Sequence, residues 1–213
     1  MAKRKKSRLK KFKLGKQPAR SRRQKILLGA LFVFALGLLI WPSIRLESHE
    51  EDQTTEEFLD EIGHYAAANA KESGVLPSLV VAQAAIESDF GRSQLARDYN
   101  NLFGRKAYGS ERAVHLPTQE YTAAGYETVE APFKVYPSWK AAVTDHGRLM
   151  QEGTDWNPDL YLPVRQAEDY KTAAYALQEA GYATDPHYAE KLIEIIESYG
   201  LTKYDKLDKN TIF

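Results

Sequence analysis

Apolar and polar positions fall into three textures along this chain. Ile26 to Trp41 is an unbroken apolar stretch without a charge. From Thr54 onward, Phe58, Ile62, Tyr65 and Ala66 recur at helical spacing. Thr54 with Glu57 has the form of a capping box at the start of that helix. Gly74 breaks it, and Pro77 suits the first turn of the next. That second helix is apolar almost throughout: between Leu79 and Ile86 its one polar side chain is Gln83. Gly91 is expected to end it, Ser93 to Arg97 to form a short helical piece, and Asn100-Asn101 a turn.

Between Ala107 and Tyr136 the spacing changes. Val114, Leu116, Tyr121, Tyr126, Val129, Phe133 and Val135 are spread among Gly109, Pro117, Gly125 and Pro132, which is the punctuation of strands and a hairpin. Helical spacing returns after Ser138, with Trp139, Ala142, Val143, His146, Leu149 and Met150 on one side. Tyr170 to Ala180 predicts a further helix stopped by Gly181. Asp185-Pro186 is expected to open the last one, with Tyr188, Leu192, Ile195, Ile196 and Tyr199 as its buried stripe and Gly200 as its end. The fold class expected is mainly α with a small β-hairpin lobe, preceded by one transmembrane helix. After Leu201 the pattern is polar and predicts nothing.

Charge divides the molecule. Net charge is zero over 213 residues, but the first 25 carry 13 Lys and Arg and no acid, so the remaining 16 basic residues face all 29 acidic ones. A basic arm (1–25) beside an apolar run (26–44, counting Pro42 to Ile44 as its rim) predicts a single membrane span. Its length reaches the lower end of the roughly 17–25 residues needed to span a bilayer. Trp41 suits the interface, and the basic arm should stay cytoplasmic. A cleaved signal peptide is the competing reading, but the apolar run is long for one and Trp41-Pro42-Ser43-Ile44-Arg45 offers no small-x-small cleavage site. Topology and anionic lipids account for the lysines without a nucleic-acid partner. Residues 45–53 form an acidic stalk, 54–201 the domain and 202–213 a polar tail, with everything after the span outside the cell. With 43% hydrophobic residues the domain can build an ordinary core.

The candidate chemistry begins at Glu87, where the buried helix reaches an edge. A carboxyl group half-withdrawn from water favours its protonated form and can act as a proton donor near neutral pH, as glycosidase general acids do. A glutamate that only decorates a helix end fits the same pattern.

The string Ala84-Ala85-Ile86-Glu87-Ser88-Asp89-Phe90-Gly91, with Ser93-Gln94-Leu95-Ala96 and Asn100-Asn101-Leu102-Phe103-Gly104 after it, resembles the glucosaminidase domains of bacterial cell-wall hydrolases, glycoside hydrolase family 73. Three further pieces match in order: Thr118-Gln119-Glu120-Tyr121, Phe133-Lys134-Val135-Tyr136-Pro137-Ser138-Trp139 and Gly181-Tyr182-Ala183-Thr184-Asp185-Pro186. The resemblance covers roughly Thr54 to Gly200 and implies a lysozyme-like fold. Glu-Ser-x-x-Gly alone is shared with lytic transglycosylases and goose-type lysozymes; the ordered set is what is specific. It implies Glu87 as catalytic acid, Glu120 as base or electrostatic partner, and Tyr182 as a groove-floor tyrosine that contacts substrate or stabilises positive charge. By spacing alone Glu120 reads as an exposed hairpin charge and Tyr182 as a core tyrosine. Asn101, Phe103, Tyr121, Tyr136 and Asp185 are the candidate substrate contacts, the aromatic rings by stacking on sugar faces. Asp185 also suits a helix N-cap, and Trp139 suits core packing. Glu111, Glu127 and Glu130 neighbour Glu120 but stand outside the motif.

The absence of Cys excludes disulfides, a lipoprotein anchor and thiol nucleophiles. His49, His64, His115, His146 and His187 show no metal-ligand spacing, so a zinc amidase is disfavoured; no metal or cofactor is expected. The expected function is a membrane-anchored peptidoglycan hydrolase cleaving the β-1,4 bond after N-acetylglucosamine. Two rivals remain: a lytic transglycosylase using Glu87 alone, and a non-catalytic wall-binding protein.

Overall fold

The computed structural model describes residues 53–122 and 125–206, with side chains left out at 119–127. The basic arm, the expected span at 26–44 and most of the stalk lie outside the described residues. Among the described residues no helix is long and apolar enough to cross a membrane.

Helix α1 (Thr55–Ser73) starts where its sequence says it should: Thr54 and Glu57 form the reciprocal capping box, and Gly74 ends it in the left-handed region at φ 74°. Helix α2 (Pro77–Ser88) follows, with Pro77 in its first turn. Leu79, Val80, Val81, Ala82, Gln83, Ala84 and Ala85 are all buried, because α1, the later helices and the turn at Leu201–Lys206 enclose the helix. The short α3 (Gln94–Tyr99) is capped by the Ser93 hydroxyl, which accepts from the Ala96 amide.

Strands β1 (Ala113–Thr122) and β2 (Gly125–Lys134) pair antiparallel, with Ala113 opposite Lys134 at the root and Glu120 opposite Glu127 farther out. Then come α4 (Trp139–Glu152), capped by Ser138, the single turn α5 (Leu162–Arg165), α6 (Tyr170–Glu179) and α7 (Tyr188–Ser198). The helical and hairpin parts of the expected fold class hold, a mainly helical body with a small two-stranded antiparallel sheet, while the expected transmembrane helix lies outside the described residues.

Three boundaries differ from expectation. Helix α2 stops at Ser88 rather than near Gly91, because Asp89, Phe90 and Gly91 all take positive φ (52°, 54° and 80°). The Ser88 hydroxyl holds this turn, donating to the Ala84 carbonyl (2.6 Å) and accepting from the Gly91 amide (2.8 Å). Helix α7 begins at Tyr188, since Asp185 closes a turn onto the His187 amide instead of capping the helix directly. Past Leu201, Leu201–Lys206 forms a 3₁₀ helix with Leu201 and Tyr204 buried. Asp205 there receives the Ser78 amide and hydroxyl, both at 2.8 Å, at the start of α2.

Candidate active site

Glu87 is the penultimate residue of α2. Burial of the helix crowds its carboxyl with protein, yet it keeps partial exposure. Desolvation pushes its pKa from an ordinary 4.5 up to about 7, opposed by the Tyr188 hydroxyl, which donates to Oε1 at 2.8 Å. Near neutral pH the group therefore carries a proton much of the time. With Oε1 occupied by Tyr188, Oε2 is the oxygen left to hold that proton.

Beneath the pair lies a buried aromatic and amide cluster. Tyr188 stacks on Tyr182 (5.9 Å between centroids, 20° apart), and Tyr182 meets His146 edge-on at 5.9 Å. Burial and the charge of Glu87 drive both tyrosines well above their usual pKa, so they stay neutral donors. His146 is buried as well; its ring N–H at Nε2 donates to Gln83 Oε1 (3.1 Å), and desolvation holds its pKa down to about 3. Phe103 lies flat on the His146 ring at 4.0 Å and 7°, and is half-buried. Gln83 is one helical turn before Glu87, so both project from the same face of α2.

Of the residues singled out from sequence, Glu87, Tyr182 and Phe103 belong to one cluster, linked through Tyr188 and His146. The structure adds Tyr188, Gln83 and His146, which sequence reasoning placed in the core. Tyr188 fits the apolar stripe of α7 with Leu192 and Ile196, and only its hydroxyl, at the helix's first position, betrays a second role.

Three expected substrate contacts are instead structural. Asn101 is 1% exposed. Its amide donates to the Arg105 and Lys134 carbonyls and accepts from the Arg105 amide, so the side chain is spent on tying this loop to the hairpin root. Tyr136 is buried, and its hydroxyl donates to Asp145 at 2.6 Å. Asp185 is occupied by the His187 amide and by an ion pair with Lys191. Trp139 is half-buried and packs against the core, edge-on to Phe58 at 5.4 Å, in line with its helical spacing.

Glu120 and Tyr121 lie on β1, their side chains outside the described residues. Register still informs. Val114, Leu116 and Thr118, and across the ladder Val129, Ala131 and Phe133, are buried or half-buried, and most pack with Leu95 and Tyr99 of α3. Ala113, His115 and Pro117, with Thr128 and Glu130, are exposed. Glu120 holds the next position in the first series.

A profile of the glucosaminidase family, described as mannosyl-glycoprotein endo-beta-N-acetylglucosaminidase, matches residues 63–201. The chain belongs to this family, and the domain is a glycoside hydrolase. It is 41% identical over 179 residues to the exo-glucosaminidase LytG of Bacillus subtilis, covering 84% of this chain and 63% of that protein. A probable N-acetylmuramidase of Lactococcus lactis is 37% identical, covering 71% of this chain and 35% of the relative. The chain thus spans less than two thirds of either relative. Among solved structures, the catalytic domain of the autolysin Auto of Listeria monocytogenes superposes with a TM-score of 0.67 at 31% identity, covering 88% of this chain and 99% of that one.

Proposed function

We propose that the domain hydrolyses the β-1,4 bond that follows N-acetylglucosamine in peptidoglycan glycan strands. Glu87 is the general acid that protonates the leaving oxygen, and Glu120 is the second carboxylate that handles the oxocarbenium-like charge or the attacking water. The observation that carries the reading is a carboxyl raised to about 7 at the open end of a buried helix, its bonded oxygen held by a neutral tyrosine. Relatives named exo-glucosaminidase and peptidoglycan hydrolase support the substrate class, and the register of Glu120 supports its role. Tyr182 and Phe103 supply the floor against which a sugar ring rests.

Digestion of purified peptidoglycan, followed by borohydride reduction and mass spectrometry, tests this directly. N-acetylglucosamine should appear at the new reducing ends. N-acetylmuramic acid there makes the domain a muramidase, and 1,6-anhydro sugars make it a transglycosylase in which Glu87 acts alone. Binding without turnover leaves only a wall-binding role. On sequence grounds the apolar run at 26–44 anchors the protein in the cell membrane with the domain on the wall side. Membrane fractionation and N-terminal sequencing of the mature protein check that placement; release of a soluble form cut near residue 44 would refute it.

A further inference from the structure

Asp145 and His146 are consecutive on α4 and serve different neighbours. His146 reaches α2 through Gln83, one turn from Glu87. Asp145 turns to the root of the hairpin. Its Oδ2 accepts from the Tyr136 hydroxyl (2.6 Å) and Lys134 Nζ (3.1 Å) and pairs with Arg105 Nε (3.1 Å). Glu111 completes the cluster, 2.7 Å from both Arg105 Nη1 and Lys134 Nζ. Arg105 and Lys134 thus share the two carboxylates, with 11–30% of each of these side chains exposed, and Arg148 approaches the other oxygen of Asp145, Oδ1, at 3.7 Å. Lys134 is the last residue of β2, and Arg105 pairs with it through the backbone (2.9 Å). The cluster is therefore the polar fastening at the root of the ladder, beside the apolar contacts that the strands make with α3.

That fastening has leverage. Glu120 stands seven rungs from the Ala113–Lys134 pair. At about 3.3 Å per residue the separation is about 23 Å, so a tilt of about 5° at the root moves Glu120 by about 2 Å. A displacement of about 1 Å can already cost about 100-fold in rate.

We propose that Asp145 is a positioning residue, which sets through this ion cluster the angle of the hairpin to α2 and so the place of Glu120 relative to Glu87. The inference rests on Glu120 being the second carboxylate. Removing one member of a partly buried ion group leaves its partners uncompensated, so the root loosens.

A double-mutant cycle on the full-length chain tests it, because coupled residues fail to add where independent ones do. Asp145→Asn should lower the initial rate of glycan cleavage by about 10- to 100-fold in the wild-type background. In the Glu120→Gln background it should lower the residual rate by less than about twofold, since the group it positions is already gone. An equal loss in both backgrounds, the signature of a general structural role, would overturn the proposal while leaving Glu120 in place. If Glu120→Gln alone is as active as wild type, the two-carboxylate reading falls first and the role of Asp145 with it. Should Asp145→Asn fail to fold, Lys134→Gln, which leaves Asp145 paired with Arg105, must show the same pattern at smaller amplitude; loss of equal size in both backgrounds refutes the proposal there too.

Discussion

Glu87 stands at the end of a helix buried along nearly its whole length, with Ser88 fixing where that helix stops and Tyr188 reaching across from α7 to hold one oxygen. Glu120 stands far out on a ladder of two strands, whose described packing on the helical body lies at α3 and the ion cluster near its root. The Glu87 carboxyl is defined by what surrounds it; the carboxylate proposed as its partner is carried by the ladder. A two-stranded hairpin has little stability of its own, so the placement of Glu120 depends on how the ladder packs on the body, whereas Glu87 is fixed by the core around α2. Titration follows the same division. Enclosure perturbs Glu87, while pairing with Arg105 and Lys134 holds Glu111 at the hairpin root down to about 2.

The sharpest way to break this comparison is Glu87→Gln, which keeps shape but removes the proton. Reducing-end release from purified glycan should fall by about 10²–10⁴-fold; near wild-type cleavage would end the assignment. Glu120→Gln should cost about 10- to 100-fold in the same assay, and a loss as deep as that at Glu87 would show that the lever is as strictly placed as the helix.

The third expectation concerns stability. Folding raises the pKa of Glu87 from 4.5 to about 7, so the folded state holds the proton more tightly than the unfolded one. The contribution of Glu87 is favourable below about 4.5 and is lost as pH rises through about 7, a change of about 3 kcal/mol. Urea unfolding at pH 8 should therefore find Glu87→Gln more stable than wild type by up to about 3 kcal/mol, with the difference shrinking towards pH 4.5. A variant less stable at both values would contradict the buried-acid account.

Tyr188→Phe removes a hydrogen bond that favours the carboxylate form. The alkaline limb of the pH–rate profile should move upward by up to about one pH unit, with a modest loss of rate. A downward move would mean that the tyrosine stabilises the acid form instead. The smallest effect on catalysis belongs to Thr54→Ala, which should cost about 1 kcal/mol in thermal unfolding through the lost cap and leave the rate unchanged.

Where a boundary depends on local chemistry, the sequence was sufficient: Thr54 with Glu57, Gly74, Pro77 and Ser138 act on their own neighbours. The end of α2 was not legible. A left-handed phenylalanine is unfavourable by itself, and Phe90 is held there by Phe58 and Tyr199, the latter 109 positions away. Tyr188 was hidden for a related reason, because a helical stripe says which side is buried and nothing of where one hydroxyl at its end points. Asn101 and Tyr136 erred the other way. Residues in a motif invite a ligand-binding role, yet their polar groups are spent on loop carbonyls and on Asp145.

The 3₁₀ turn at the end of the domain bears on how this protein is cut for study. The family profile matches as far as residue 201, a natural place to stop a recombinant fragment. Such a fragment would lack Asp205 and leave the Ser78 amide and hydroxyl unanswered at the start of the helix that carries Glu87. It would also lack Tyr204, whose ring lies against Gly63 so closely that even a methyl group there would collide, and whose hydroxyl donates to Asp60. A fragment running from 53 to 206 keeps both ends of α2 tied, and the five residues from Thr202 to Lys206 decide whether a truncated protein reports on catalysis or on its own unfolding.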